Sequence, residues 1–411
     1  QSALGANTTA DANTAIGYAA LNVNTTGTKC VAVGAYALDA SDADDNTAVG
    51  YNAMTANTTG IRNAALGQSA LGANTTGTRN TAIGAQTLDA NTTASYNTAV
   101  GYAALTENTT GEYNTAVGQS ALLLNTTGQY NTAVGAYAMD ASSTSNYNTA
   151  VGYQALTANT SGDEHVAVGY EALATNTTGT QNTAVGFRAL KTNNGSSNTA
   201  VGESALTANT TGNNNCAIGR DCLDANTTGT GNVALGVAAL GANTTANYNT
   251  AIGLDVLQNN TADDNTGVGR NVLNANTTGT KNTAAGALAL DANTTADRNT
   301  AIGYQSLSAN TTGERNTAVG TYSLISNSTG GDNVAFGDAA LYNNSTASYN
   351  TAVGRSAMSQ NTTGASNTAV GYNALNSNTT ANSNTAVGRE ALNANTTGAN
   401  NDAFGYVALA S

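Results

Sequence analysis

The chain has 411 residues and a formal net charge of −13, with 12 Lys+Arg and only 9% of its residues charged. It contains no Pro, no Trp and 3 Phe, while Asn, Thr, Ala and Gly dominate. Such a composition excludes a large aromatic-rich core, and without clustered cations neither nucleic acid nor an anionic membrane is an expected partner. No run of 18 apolar residues is present to cross a bilayer. No signal-peptide pattern opens the sequence, and Gln1 falls partway through a repeat, so a mature product or a window of a longer array is expected.

Self-similarity sets the frame. The unit reads N-T-A-V-G-Y-x-A-L-x-A-N-T-T-G-x-x, with a good copy at Asn97 to Tyr113. The glycine that closes N-T-A-V-G marks the phase, from Gly17 to Gly405, in 24 coils. Successive markers lie 17 residues apart except for three steps of 16: Gly34 to Gly50, Gly186 to Gly202 and Gly253 to Gly269. Asn and Gly every few residues exclude a helical repeat. The expected fold is all-β: a parallel β-solenoid (β-roll) of about 24 coils of 17 residues, with two short strands per coil. It is expected to run over 1–411 as a single continuous array, uncapped at both ends.

The first predicted strand of each coil is Thr-Ala-Val. Its Val slot is apolar almost throughout, as at Ile16, Val33, Leu66 and Phe336, and its Thr slot is Val at Val31, Val166, Val233 and Val334. Alternation puts these two slots on one face, which is expected to point into the coil. The slot between them is Ala in every coil except at Gly267, so its face is expected to be covered, by a second chain or by another part of the coil. After the marker glycine come two variable, exposed slots (Arg220, Asp338, Glu171, Arg188), with Tyr51, Tyr102, Tyr153 and Tyr170 forming an intermittent aromatic stripe. The second predicted strand, x-A-L-x-A, carries Leu or Met in all coils. The expected core ladder is Val100, Leu105, Val117, Leu122, Val134, Val151, Leu156, Val168 and Leu173.

The coil closes on N-T-T-G, where all three short steps can be accommodated, so this segment is a turn. Its Asn bonds its own backbone, and the Asn before Thr-Ala-Val is placed to form amide ladders along the stack. The N-T-T turn also matches the Asn-x-Ser/Thr glycosylation acceptor. Candidate acceptors include Asn57, Asn74, Asn91, Asn108, Asn125, Asn209, Asn226, Asn276, Asn310, Asn361 and Asn395. An Asx turn accounts for the same residues, and a glycan requires the amide to face solvent.

Nothing marks a reaction centre. Cys30, Cys216 and Cys222 occupy three different repeat slots, those of Asn, Thr and Ala, as small residues would. His165 is the only histidine and stands in an Asn slot, with no recurring nucleophile beside it. Asp42, Asp44, Asp45, Asp263 and Asp264 read as a solvated acidic edge, and the nonapeptide spacing of calcium-binding rolls is absent apart from the isolated Gly330-Gly331-Asp332. No metal, cofactor or catalytic residue is expected.

The run Asn148-Thr149-Ala150-Val151-Gly152-Tyr153-Gln154-Ala155-Leu156 resembles the repeat of phage and bacterial tail-fibre-type proteins. Asn232-Val233-Ala234-Leu235-Gly236 resembles the shorter units of trimeric autotransporter adhesin heads. The resemblance covers the whole chain and implies a parallel β-roll, often three chains together, on a cell or virion surface. The expected function is therefore a structural or adhesive surface-fibre segment. The expected partners are copies of itself, as a trimer or an end-to-end filament, and a host-surface glycan. The alternatives are a self-assembling extracellular filament with a glycan coat, and an ice- or carbohydrate-binding solenoid built on exposed Thr and Tyr ranks.

Overall fold

The computed structural model describes residues 2–410. Gln1 and Ser411, which bear on how the array begins and ends, lie outside the described residues. The chain divides into two compact units, Gln1–Thr211 and Gly212–Ser411. Among the described residues the first holds twelve three-residue strands, from β1 (Thr14–Ile16) to β12 (Thr199–Val201). The second holds twelve more, from β13 (Cys216–Ile218) to β24 (Asp402–Phe404), and among the described residues no helix is present in either. The fold is a parallel β-solenoid.

Within each unit, consecutive strands pair in parallel and in register. Thr98, Ala99 and Val100 of β6 (Thr98–Val100) face Thr115, Ala116 and Val117 of β7 (Thr115–Val117). In the second unit Thr300, Ala301 and Ile302 face Thr317, Ala318 and Val319. The 16-residue steps keep this register, pairing Val31 with Thr47, Thr183 with Thr199 and Thr250 with Thr266. The residue is lost in the turn, where the sequence placed it. The marker glycines stack: a Cβ built on Gly118 would lie 2.6 Å from the carbonyl carbon of Gly135.

Two expectations need correction. Each coil has one strand, not two. The x-A-L-x-A leg is a succession of turns in which left-handed residues alternate with ordinary ones, as at Ala103 (φ 53°) and Leu105 (φ 54°). It still bonds its neighbours, Ala103 N–H to Ala85 O (3.0 Å) and Leu105 N–H to Ala121 O (2.9 Å). A left-handed L-residue costs about 1–2 kcal/mol, a debit set against full burial of the leucine, worth about 1.5–3 kcal/mol.

The strand faces are also inverted relative to expectation. Ala99, Ala116 and Ala133 are fully buried, and the Thr and Val slots face outward. Of the expected ladder, Leu105, Leu122, Leu156 and Leu173 are fully buried. Val100, Val117, Val134 and Val168 are half-buried, and Val151 is exposed. The reason is width. The leucine column already fills the coil, leaving the facing strand room for a methyl group. Gly267, the one exception, shows how tight this is. A Cβ there would lie 2.6 Å from Val256 Cγ1, and Val256 stands where most coils have the Ala before Leu. Added volume on one leg is matched by a methyl lost from the other.

Two columns of fully buried asparagine complete the interior. In the column before the strand, Asn97 Oδ1 accepts from Asn114 N–H (2.9 Å), and Asn97 Nδ2 donates to Gly111 O (2.8 Å). In the turn column, Asn108 Nδ2 donates to Asn91 Oδ1 (3.0 Å) and to Gly111 O (2.9 Å). Buried amides are tolerated because stacking supplies each with partners. The ladder from Asn57 ends at Asn125, whose Oδ1 has no protein partner because the next slot holds Ser142.

Candidate interaction surface

The outward face of the strands is the most uniform surface in each unit. It consists of a Thr column and a Val column two residues apart along the strand. Apart from Asp402, no charged residue occupies either column in any strand. Among the described residues, no strand threonine hydroxyl bonds another protein atom. Large apolar side chains stand well out of the face, including Ile16 (62% exposed), Leu66 (50%), Phe336 (55%) and Phe404 (70%). Twelve strands at ~4.8 Å spacing and columns ~7 Å apart give a strip of roughly 350 Å² in each unit. That lies within the range of the largest surface patch on a typical monomer, a patch that is often functional.

Apart from Asp402, charge is confined to the other slots. Arg315 bridges to Asp332 of the next coil at 2.7 Å, and Glu171 takes both Arg188 (2.9 Å) and Lys191 (2.6 Å). These pairs lie at the surface, partly buried at Glu171, and carry small energetic weight. Gly330-Gly331-Asp332 thus ends in an ion-pair partner.

Aromatic rings stand outside as well. The expected stripe after the marker glycine is present in part, with Tyr153, Tyr170 and Phe187 stacked at 5.4 and 5.3 Å. A second column, before the inner Asn, was missed. Tyr96, Tyr113, Tyr130 and Tyr147 stack face to face at 4.8, 5.1 and 5.2 Å, with interplanar angles of 7°, 4° and 2°. Their 17-residue spacing was the available signal.

The glycosylation reading is corrected by burial. Asn57, Asn74, Asn91, Asn108, Asn125, Asn209, Asn226, Asn276, Asn310 and Asn361 are fully buried, and only Asn395 is half-buried. The Nδ2 that would carry a glycan is engaged: Asn74 with Asn57 Oδ1 (2.8 Å), Asn226 with Gly229 O (3.1 Å), Asn361 with Asn344 Oδ1 (2.8 Å). The folded coil leaves these ten no room for a sugar.

The acidic turn residues cap backbone. Asp42 Oδ1 accepts from the N–H groups of Thr25, Thr26 and Gly27, and the Thr26 bond foremost holds this carboxyl well below the usual carboxylate range. Asp44 accepts from Thr28 N–H (2.7 Å) and Asp263 from Asn247 N–H (2.7 Å). All three thiols are free. Cys30 and Cys222 are buried, and burial pushes the Cys222 thiol up to about 12. Neither is a nucleophile at neutral pH.

His165 substitutes for an interior asparagine. Its N–H donates to Asn148 Oδ1 (2.9 Å), and its Nδ1 accepts from Asn182 N–H (3.2 Å), so the neutral ring carries its hydrogen on Nε2. Burial lowers its pKa. The unfolded chain, with an ordinary value of about 6.5, therefore binds a proton that the folded chain refuses. Stability is lost as pH falls below about 6.5 toward the lower folded value. We predict that His165→Asn restores the ladder residue and removes this loss. The difference in melting temperature between variant and parent should widen in mild acid, and a gap independent of pH would contradict it.

Comparison with known proteins finds no family model that matches the chain and no matching curated protein.

Proposed function

We propose that the protein is a structural and adhesive segment of an extracellular surface fibre, of the phage tail-fibre or bacterial-adhesin kind, without catalysis. Copies of the chain pack laterally through the Thr/Val face, as a trimer or as a filament. The observation that carries this reading is that face: uncharged apart from Asp402, repeated from strand to strand within each unit, and turned outward. A solvent-facing strand ordinarily drifts toward Lys and Glu, and a face covered by a neighbour does not. The regular register suits a partner with the same ~4.8 Å repeat, which a second copy has. The exposed tyrosine ranks add a surface suited to a host glycan.

The test is the native mass of the chain and of the double variant Val117→Lys/Val134→Lys. The substituted positions are outward and half-buried, so the coil tolerates lysine while a neighbour does not. The parent is expected as a discrete oligomer or a polymer, and the variant as a monomer with an unchanged circular dichroism spectrum. A parent that is monomeric at micromolar concentration would refute the packing.

A second reading has a specific observation in its favour. The strand threonines stand outward in columns, and among the described residues their hydroxyls bond no other protein atom. Thermal hysteresis of the parent, abolished by the same lysine substitutions, would select ice over self-packing.

A further inference from the structure

Two of the three shortened coils put a polar side chain at the same point of the turn. In one, Asp42 Oδ1 accepts from Thr25 N–H (2.8 Å), Thr26 N–H (2.6 Å) and Gly27 N–H (3.2 Å). In the other, Asn194 Oδ1 accepts from Thr177 N–H (3.1 Å), Thr178 N–H (3.0 Å) and Gly179 N–H (3.3 Å). The Thr177 hydroxyl adds a bond at 3.0 Å, and the Thr178 hydroxyl lies at 3.5 Å. Asn194 is exposed and is followed by Gly195, the sole Asn-Gly pair in the sequence.

We propose that Asn194-Gly195 is a self-modifying site, at which the folded coil promotes conversion of the Asn194 side-chain amide to a carboxylate through a cyclic imide. In the first step Gly195 N attacks Asn194 Cγ. The new N–Cγ bond closes a five-membered ring. The Cγ–Nδ2 bond breaks, and Nδ2 departs as ammonia with the proton that Gly195 N has lost. In the second step a solvent water adds to one of the two imide carbonyls and opens the ring. The product is aspartate or its β-linked isomer. Only water is consumed, and nothing is oxidised or reduced.

The case rests on where the donors converge. As Cγ becomes tetrahedral, negative charge builds on Oδ1, the atom that three backbone N–H groups and a hydroxyl already address. Donors fixed in advance around a developing oxyanion lower the barrier without reorganisation. Gly195 presents no Cβ to obstruct the ring closure. Its N–H donates to Asn193 Oδ1 (3.2 Å), a bond that is given up as the proton leaves. The aspartate product recreates the Asp42 arrangement, a carboxylate on the same three N–H groups, which is the stronger, charge-assisted form of the contact.

The experiment incubates the full folded chain in mildly alkaline buffer and follows ammonia release and the mass of the peptide containing residue 194. The same chain in denaturant is the reference. The folded chain is expected to react about tenfold faster or more, since one oxyanion donor alone is commonly worth more than that. Thr177→Val, which removes the hydroxyl and leaves the backbone donors, should slow the folded chain and not the denatured one. Gly195→Ala should slow both. Asn194→Asp, made directly, should fold with an unchanged spectrum and a melting temperature at or above the parent's at neutral pH. Reaction of the folded chain at or below the denatured rate overturns the proposal, as does a Thr177→Val chain that reacts like the parent.

Discussion

Gly135→Ala is expected to destabilise the first unit by about 3 kcal/mol or more, whereas Gly111→Ala is expected to stay within about 1 kcal/mol of the parent. Both sites look crowded. A Cβ on Gly135 would meet Gly152 O and lie 2.6 Å from the Gly152 carbonyl carbon, and a Cβ on Gly111 would meet Gly128 O. Contact alone therefore does not separate them. Backbone conformation does. Gly135 has φ +137°, a region that residues with a Cβ scarcely enter, whereas Gly111 has no positive φ. The sequence makes the same distinction, with Ala94, Ala246, Ala296, Ala347 and Ala381 in the turn slot and glycine at every marker. Losing a glycine also restricts the unfolded chain, which favours the variant by about 0.4–1 kcal/mol. At position 111 that gain offsets much of the crowding, and at position 135 it is outweighed. Urea midpoints of the two variants measure the difference. Hydrogen exchange should place the loss in the coils next to Gly135, because a solenoid is stabilised by nearest-neighbour interfaces. Equal midpoints would contradict the argument.

The part of this fold legible in the sequence was the part governed by repetition. A constant period with loss tolerated at one segment gave the coil, its register and its turn. A Leu or Met in every x-A-L-x-A leg gave the leucine column. What periodicity could not give was the direction of the strand face. Thr and Val alternate with Ala, and alternation fixes that the two sets point oppositely without fixing which points in. Hydrophobicity suggested Val inside, but volume decided for Ala, because a coil this thin has room for one methyl opposite each leucine. The invariance of Ala was the better indicator: of the two covers it allowed, a second chain or another part of the coil, the structure shows the latter, the leucine leg. The left-handed leucines were illegible for another reason. Their slot contains no Asn, Asp or Gly to signal a positive φ. The third left-handed slot does, at Asp45, Asn214, Asp264 and Asn400. The strand face now proposed as the contact surface, and the Asn194 turn, both needed coordinates. The first depended on side-chain direction, and the second on backbone donors contributed by the preceding coil.

Asn108→Asp is expected to be the most damaging single isosteric change in the turn column, and to damage in a pH-dependent way. Asn108 is fully buried, and its Nδ2 gives one hydrogen to Asn91 Oδ1 and the other to Gly111 O. A carboxylate there sets an anionic oxygen against two acceptors and leaves a buried charge unpaired, at a cost of about 3–5 kcal/mol. Burial and the facing oxygens raise the folded pKa of the new carboxyl above its unfolded value of about 3.9. Below about 3.9 both states are protonated, the O–H replaces one lost donor, and most of the stability remains. As pH rises toward the folded pKa, the unfolded state ionises and the folded state does not, so stability falls by about 1.4 kcal/mol per unit. Denaturant midpoints across acid to neutral pH should therefore diverge steadily from the parent's, and a constant offset would mean that the amide hydrogens were not holding the ladder. The same substitution at Asn194 is expected to be neutral or favourable at neutral pH. That oxygen faces four hydrogen-bond donors and solvent, whereas the nitrogen of Asn108 faces two carbonyl-type oxygens inside a closed coil. One change of NH2 to O⁻ thus carries opposite signs at two turns of the same repeat, and the sign is set by whether the neighbouring coil presents hydrogens or lone pairs.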